Sequence, residues 1–301
     1  MTHIECRTCG ATLQVDDSHR STVCPYCASP SVIERPASGD AIPPKFALGF
    51  GVPRERAVEN VRAWSRHGLF RHAGLEGAPI EDIRGIYVPA WLYSAVAEAD
   101  FTAEIGENYT VTRTRTVTRN GQTVTETYTT TETEWRPLGG RYLGYVADVL
   151  VTASKGLANH ELEALEPFDL RALTRFTPAV ISGWLAEDVT LAANESAQHA
   201  RAEACEIIAR RMKEFMPGDA YRGLSHQTSL ASESSDVVLV PVWVLAMRHV
   251  ADAPPVRVLV NGQNGKVVGD KPLSWWKVTI AVLMALALVA LCVLFMVGVT
   301  Q

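Results

Sequence analysis

Strict alternation of residue types marks the stretch from Tyr109 to Trp135. Threonine fills nearly every second position on both sides of Asn120-Gly121, and valine and charged residues fill many of the positions between. Asn-Gly is a strong signal for a type I′ turn, which joins two antiparallel strands. With the turn there, Arg115 faces Glu126, Val117 faces Val124, and threonines pair behind them. The pattern therefore predicts a long two-stranded β-hairpin over 109–135.

This hairpin has little apolar surface, so we expect it to project from a body or to rest one face on something. Two interpretations remain open: a solvated arm, or a docking surface for a partner or a second subunit. Cross-strand threonine and arginine rows supply the contact residues in the second case. The candidate partner-surface residues are Arg113, Arg115, Thr112, Thr114, Thr116, Thr125 and Thr127.

Apolar residues recur at helical spacing in two other stretches. Residues 54–67 predict one amphipathic helix, and residues from about 187 to 215 predict a long one that Pro217-Gly218 ends. Glu187 and Asp188 suit the opening turn of that long helix, where acidic groups are favoured. Strands are predicted over 83–105, 141–154 and 236–250, with a hairpin over 256–270.

A four-residue pattern occurs twice, as Val-Pro-Ala-Trp ending at Trp91 and as Val-Pro-Val-Trp ending at Trp243. It marks either two related halves of the body or a coincidence. Proline inside a strand indicates an edge strand or a bulge. We expect both tryptophans to be core residues rather than ligand platforms.

Residues 278–299 form an apolar run without charge or proline. As a helix they would reach about 33 Å, the thickness of a bilayer core, so they predict a transmembrane span. A buried core helix is the alternative. Trp275, Trp276 and Lys277 precede the run, as at a membrane interface. Lysines before the run predict a single-pass inner-membrane protein, anchored by its tail, with residues 1–277 in the cytoplasm.

Four of the six cysteines lie in two C-x2-C pairs, Cys6/Cys9 and Cys24/Cys27, with fourteen residues between the pairs. Each pair can form a knuckle that turns two thiolates inward, and two knuckles complete a tetrahedral zinc site. Gly10 gives the first knuckle its conformational freedom. Two disulfides are the alternative, which a reducing compartment disfavours. Four thiolates leave no open position, so the predicted zinc is structural.

Charge gives little support for nucleic-acid binding. The chain has a formal net charge of −5, and residues 1–35 carry three arginines against four acidic residues. Phosphate contacts need clustered lysine and arginine. A protein-docking or structural ribbon is therefore favoured, with a nucleic-acid-binding ribbon as the alternative.

No motif for catalysis occurs in the sequence. It contains no P-loop, no G-x-G-x-x-G after a strand, no G-x-S-x-G and no H-E-x-x-H. Its eight histidines are scattered, and its acidic runs suit helix starts or solvated faces. We therefore expect a protein that is not an enzyme.

Several segments together resemble a family of bacterial zinc-ribbon membrane proteins. They include IPPKFALGFGVP, IEDIRGIYVPAWLYS, LEPFDLRALTRFTPAV and VLVNGQNGKVVGDKPLSWWK, besides the four cysteines. Members carry transcription-factor-type or primosomal-helicase-like ribbon labels. The resemblance implies a single C-terminal transmembrane helix and association with flotillin-like and phage-shock-type proteins. It assigns a chemical role only to Cys6, Cys9, Cys24 and Cys27, and IPPKF departs from the IPFK-type segment of relatives.

Together these observations predict an α+β fold. A zinc ribbon (1–35) and a linker (36–45) precede an α+β body (46–272), and a C-terminal transmembrane anchor (273–301) follows. The predicted function is a tail-anchored membrane scaffold that binds protein partners. Its alternative is a membrane-tethered nucleic-acid-binding ribbon protein, and homo-oligomerisation is a further possibility.

Overall fold

The structure is a computed structural model that describes residues 2–15, 24, 26, 32–35, 42–119, 122–250 and 255–299. Within these ranges, side chains are described except at 2–4, 14–15, 32–35, 81, 118–119, 122–124 and 291–299. Cys27, the Asn120-Gly121 turn and residues 36–41 of the predicted linker lie outside the described residues.

Strands dominate the chain, and three of them are unusually long. The strands are β1 (Thr2–Cys6), β2 (Thr12–Val15), β3 (Val32–Arg35), β4 (Phe46–Ala47), β5 (Ile80–Arg119), β6 (Gln122–Thr152), β7 (Thr174–Arg175), β8 (Leu185–Glu187), β9 (Ala220–Met247), β10 (Val256–Asn261) and β11 (Val267–Gly269). The helices are α1 (Arg54–Arg66), α2 (Asn159–Leu165), α3 (Ala193–Phe215) and α4 (Trp275–Val299). Short 3-10 turns cover Ala73–Leu75, Leu170–Ala172 and Pro178–Ile181.

All eleven strands belong to one mixed sheet, whose main path runs β11-β10-β9-β5-β8-β2-β1-β3. Most pairs are antiparallel, whereas β4 runs parallel to β9 and β8 runs parallel to β5. β6 pairs with β5 off the main path, and β7 pairs with β4.

The predicted α+β class is wrong, because the structure is a mostly-β mixed sheet with 46% strand and 28% helix. A typical globular domain has only 20–25% strand. The excess comes from β5, β6 and β9, which extend far beyond the segments that the sequence pattern marked. In β9, the polar residues before Asp236 carry no clear apolar alternation, so this half of the strand was not predicted.

The chain divides into two compact units, and β5, β6 and β9 contribute residues to both. The first comprises Met1–Trp91, Leu150–Ser196 and Asp236–Gln301. Its main core forms where α1 places Ala57 and Val61 against Trp243 and Val258 of β9 and β10. A smaller cluster surrounds Trp91.

Both tryptophans of the repeated pattern are core residues, as predicted, and each is only 5% exposed. The indole N–H of Trp91 donates to Leu191 O at 3.1 Å, and that of Trp243 donates to Val52 O at 2.9 Å. Each ring therefore packs in the core while its polar atom fixes a neighbouring loop. β5 and β9 lie inside the sheet path, so their prolines do not mark edge strands. The other alternative, a bulge at each proline, stays a prediction.

The second unit comprises Leu92–Val149 and Ala197–Ser235. Along β5, the odd-numbered residues from Tyr93 to Ile105 are buried and the even-numbered residues between them point outward. Most of the predicted apolar stripe of α3 is buried as well, at Ala200, Ala204, Ile208 and Met212, whereas Phe215 at the end of the helix is 59% exposed. A Cβ added at Gly144 of β6 would lie 2.9 Å from the Ile208 side chain, so the helix packs directly on the strand.

β5 ends at Arg119, β6 begins at Gln122, and the two strands pair with each other. Three contacts match the alignment that the Asn-Gly turn implies. Thr133 donates to Asn108 at 2.7 Å, Tyr109 donates to Glu132 at 3.2 Å, and Arg115 pairs with Glu126 at 3.1 Å. The predicted facing of Arg115 and Glu126 is therefore present.

The predicted transmembrane anchor is contradicted by the structure. In the part of the chain that the structure describes, no helix has both the length and the apolar character needed to cross a membrane. The transmembrane span at 278–299, the tail anchor and the single-pass inner-membrane location are thus corrected.

Gly262 gives a test of how closely the first unit is packed. A Cβ at this position would come within 2.7 Å of the Pro241 carbonyl oxygen and 2.8 Å of Phe50. Because a backbone atom is in the way, we expect Gly262→Ala to lower the free energy of unfolding by about 1–3 kcal/mol. Gly77 has open space around its Cβ direction. Gly77→Ala, the control, is expected to change the free energy of unfolding by less than about 0.5 kcal/mol, measured by urea unfolding. Equal losses of stability in the two variants would contradict the close packing at Gly262.

Candidate metal centre

The first cysteine pair sits on a tight backbone turn between β1 and β2. Gly10 N–H donates to Cys6 O at 2.8 Å, and Cys6 N–H donates to Ala11 O at 2.9 Å. Gly10 has a φ of 76°, a left-handed conformation that favours glycine. The predicted role of Gly10 in the knuckle is therefore present in the structure.

Three of the four predicted metal ligands come together at this turn. The sulfur atoms of Cys6, Cys9 and Cys24 all lie within 4.8 Å of one another, and Cys9 Sγ lies 3.6 Å from Cys24 Sγ. All three are free thiols, and Cys6 and Cys24 are buried. The neighbouring Cys24 thiol and burial raise the pKa of Cys9 well above its usual range. This arrangement could hold a metal ion, which would displace the thiol protons.

The strands next to the cysteines, β1, β2 and β3, are part of the main sheet, and we call them the cysteine-bearing strands. β1 pairs with β2 and β3, and β2 pairs antiparallel with β8, where Leu13 lies opposite Glu187. Asp188 N–H adds a hydrogen bond to Thr12 O at 2.9 Å. The ribbon therefore folds against the body by continuing its sheet, a question that the sequence left open.

A buried polar pair lies at this junction. Tyr26, two residues after Cys24, donates its hydroxyl to Glu187 Oε2 at 2.5 Å. The two side chains are only 2% and 3% exposed. Burial raises the pKa of Glu187 to about 7, although hydrogen bonding from Tyr26 partly opposes this shift. Burial, followed by the Glu187 charge, raises the pKa of Tyr26 as well. A neutral Glu187 avoids the cost of an unpaired buried charge.

The loop after β6 forms the opposite wall of the junction. Ser154 Oγ accepts hydrogen bonds from the N–H groups of Gly156 and Leu157 at 2.9 and 3.0 Å. A Cβ at Gly156 would come within 2.9 Å of Ala11 and 3.0 Å of Tyr26, so the loop backbone touches the ribbon directly. Arg257 donates to Gly156 O at 2.8 Å and pairs with Glu161. These contacts fix the loop before it meets the ribbon.

The other predicted site residues are not part of the cysteine cluster that the structure describes. Trp275 and Trp276 are 76% and 74% exposed at the start of α4, and Lys277 donates to Arg71 O at 3.2 Å. The remaining predicted residues lie on the β5–β6 hairpin and are exposed, namely Arg113, Arg115, Thr112, Thr114, Thr116, Thr125 and Thr127.

Sequence reasoning missed Tyr26 and Glu187. Glu187 was expected to open the long helix, but it lies in β8 and α3 begins six residues later. The prediction of a helix start at 187 is therefore wrong. The available signal was the short apolar run that ends at Glu187, since Leu185 and Ala186 fit a strand as well as a helix. Three residues are too few for periodicity to decide between them.

Comparison with known proteins gives limited information. No protein-family model matches the chain, and no solved structure matches it. Over 247 residues the chain is 26% identical to a Bacillus subtilis (strain 168) protein, "Uncharacterized protein YdjG". The match covers 80% of this chain and 67% of that protein. The similarity extends well beyond the cysteine-bearing strands, but the name of that protein states no activity to compare.

The pKa of Glu187 predicts how stability depends on pH. The folded chain keeps the Glu187 proton up to about pH 7, whereas an exposed glutamate loses it near pH 4.5. The native state thus binds the extra proton between these values, so stability falls as pH rises from about 4.5 to 7, by up to about 3 kcal/mol. Glu187→Gln, which can still accept from Tyr26, removes this contribution. Urea unfolding of both proteins from pH 5 to 8, with excess metal present, measures this contribution. Parallel pH profiles of the unchanged chain and the Glu187→Gln variant would contradict the assignment.

Proposed function

We propose that the chain is a non-enzymatic scaffold, in which a zinc-clipped ribbon stiffens a β-rich body that binds protein partners. The observation that carries this proposal is an exposed hairpin surface in one unit; a structural junction in the other unit supports it. The resemblance to zinc-ribbon proteins and the absence of catalytic motifs from the sequence point the same way.

Zinc is the metal that best suits the cysteine cluster. Zinc binds thiolates at about 2.3 Å in a tetrahedron, which separates the sulfurs by about 3.8 Å. The 3.6 Å between Cys9 and Cys24 is close to that value, and the sulfur of Cys6 lies within 4.8 Å of both. Cys27, whose position the structure does not describe, is the proposed fourth ligand because it completes the second C-x2-C pair.

A structural role for the zinc follows from its ligands and its location. Four thiolates fill the tetrahedron and leave no coordination site for water or substrate. The cluster also lies at the start of the strand that pairs with β8, next to the buried Tyr26–Glu187 pair. The ion then holds the ribbon against the sheet, and its removal loosens that junction.

The proposed partner surface is the threonine face of the β5–β6 hairpin. Thr112, Thr114, Thr116, Thr125 and Thr127 are all exposed, and β-branched threonines in strands have few rotamers. The charged residues on the opposite face of the hairpin are tied across the strands, because Arg113 pairs with Glu132 and Arg115 with Glu126. Such a pre-ordered surface loses little side-chain entropy on binding.

The same ion pairs favour a protein partner over nucleic acid. Phosphate binding needs clustered cations that are not neutralised nearby. On the described part of the hairpin, Arg113 and Arg115 each face a carboxylate, and Arg136 lies 3.0 Å from Glu134. The resemblance stated for the sequence implies flotillin-like and phage-shock-type proteins, so we propose these as the first partners to test.

The zinc proposal predicts the effect of losing one ligand. Cys24→Ser is expected to reduce bound zinc from about one ion per chain to a small fraction, as measured by mass spectrometry of the purified metal-loaded protein. Cys205→Ser is the control, since Cys205 lies on α3 in the other unit. Equal zinc in both variants would exclude the cluster as the zinc site.

The docking proposal predicts a loss of partner binding from the threonine face. Thr112→Glu/Thr114→Glu places two charges on this face, and we expect at least about tenfold weaker binding to a purified flotillin-like or phage-shock-type partner, because unpaired charges oppose docking. Thr102→Glu/Ser225→Glu, also exposed and in the same unit, is the matched control.

Calorimetric or interferometric titration measures both variants after circular dichroism has shown that they fold. Unchanged binding by the threonine-face variant would contradict the proposed surface. Equal loss in both variants would also contradict it, since the effect would then not be local.

A further inference from the structure

Exposed apolar side chains gather where α4 begins. Leu69 is 85% exposed, Trp275 76%, Trp276 74%, Leu273 54% and Phe70 42%. Large apolar residues scattered singly on a surface are ordinary, but a contiguous group marks an interaction site. We call these five residues the apolar patch.

Backbone contacts hold the two segments of the apolar patch side by side. Arg71 and Leu273 form an antiparallel β-bridge. His72 N–H donates to Pro272 O and Ser274 N–H donates to Phe70 O, both at 2.8 Å. The loop with Leu69 and Phe70 is therefore fixed against the segment that leads into Trp275 and Trp276. This contiguity was invisible in sequence, because about 200 residues separate the two segments.

Two lysines bind the loop that carries Leu69 and Phe70. Lys277 Nζ donates to Arg71 O at 3.2 Å, and Lys271 Nζ donates to His67 O at 2.9 Å. The charge of Arg71 is paired with Glu76 at 2.5 Å, and Asp270 precedes Lys271 in the chain. Burial and the charge of Arg71 lower the pKa of Lys271 below its usual range. An anion beside Lys271 and Arg71 would relieve this repulsion.

We propose that the apolar patch docks on the surface of an anionic lipid bilayer, with Leu69 and Phe70 entering the headgroup boundary beside Trp275 and Trp276. Tryptophan is enriched at this boundary, where its ring meets apolar chains and its N–H meets water. Lysine near such residues attracts anionic headgroups. Surface docking of this kind requires no helix that crosses the bilayer.

Charge favours lipid over a second copy of the chain as the occupant. In a symmetric dimer the patch would meet itself, so the positive charges of Lys271 and Lys277 from both copies would lie in one interface. Like charges that face each other across an interface oppose association. Anionic headgroups instead complement both the lysines and the tryptophan N–H groups.

Flotation of the full chain with vesicles tests the proposal. We expect the chain to float with vesicles of 30% phosphatidylglycerol and 70% phosphatidylcholine, and to partition at least about tenfold less onto pure phosphatidylcholine. Leu69→Glu/Phe70→Glu is expected to reduce partitioning onto the anionic vesicles at least about tenfold, because both side chains lose their burial in lipid. The control is Leu143→Glu/Tyr145→Glu, since these two residues of the other unit are 63% and 61% exposed. It should change partitioning onto the anionic vesicles less than about twofold.

Three outcomes would overturn the proposal. The first is equal flotation of the Leu69→Glu/Phe70→Glu variant and the unchanged chain, and the second is equal partitioning onto both lipid compositions. The third is that the Leu69→Glu/Phe70→Glu variant loses self-association, as seen by light scattering, but still floats with the vesicles. This result would assign the patch to a second copy of the chain. Circular dichroism confirms that each variant remains folded before it is compared.

Discussion

The pairing of β2 with β8 is the interaction on which the rest of the structure depends. Two short strands far apart in sequence meet there, and this pairing connects the cysteine-bearing strands to the central sheet. Only two residue pairs form the ladder, so the backbone hydrogen bonds alone contribute little. Tyr26 and Glu187 add a buried hydrogen bond, and the Gly156 backbone closes the gap. A metal at the cysteines would fix the strands before they pair, which lowers the entropy cost of the junction.

Local signals in the sequence predicted local structure well. The hairpin register follows from one dipeptide and from alternation around it, and Arg115 meets Glu126 as that pattern implies. The buried stripe of α3 follows from 3.6-residue spacing, and three clustered cysteines follow from C-x2-C spacing. Each of these features is set by residues near one another in the chain, where turn chemistry and periodicity dominate.

Long-range features were not predictable in the same way. β8 has three residues, and only its partners β2 and β5 define it as a strand. Glu187 suits a helix start on local grounds, yet tertiary contacts bury it beside Tyr26. The C-terminal run shows the limit of composition. An uncharged apolar stretch suggests a span, yet no helix among the described residues combines the length and the apolar character for one. The fourth cysteine and the hairpin turn lie outside the described residues.

The constant alignment of β5 and β6 has a consequence for how this chain can vary. Arg141 forms an ion pair with Asp100 at 3.0 Å. Its alignment across the two strands is the same as that of Arg115 with Glu126, although the two ion pairs lie far apart along the strands. Deleting a single residue from either strand would turn every side chain beyond it to the opposite face. The length of the β5–β6 hairpin in homologous chains should therefore differ by two residues in each strand, that is, by four residues at each step. Length, rather than composition, would be the quantity that evolution adjusts in discrete steps.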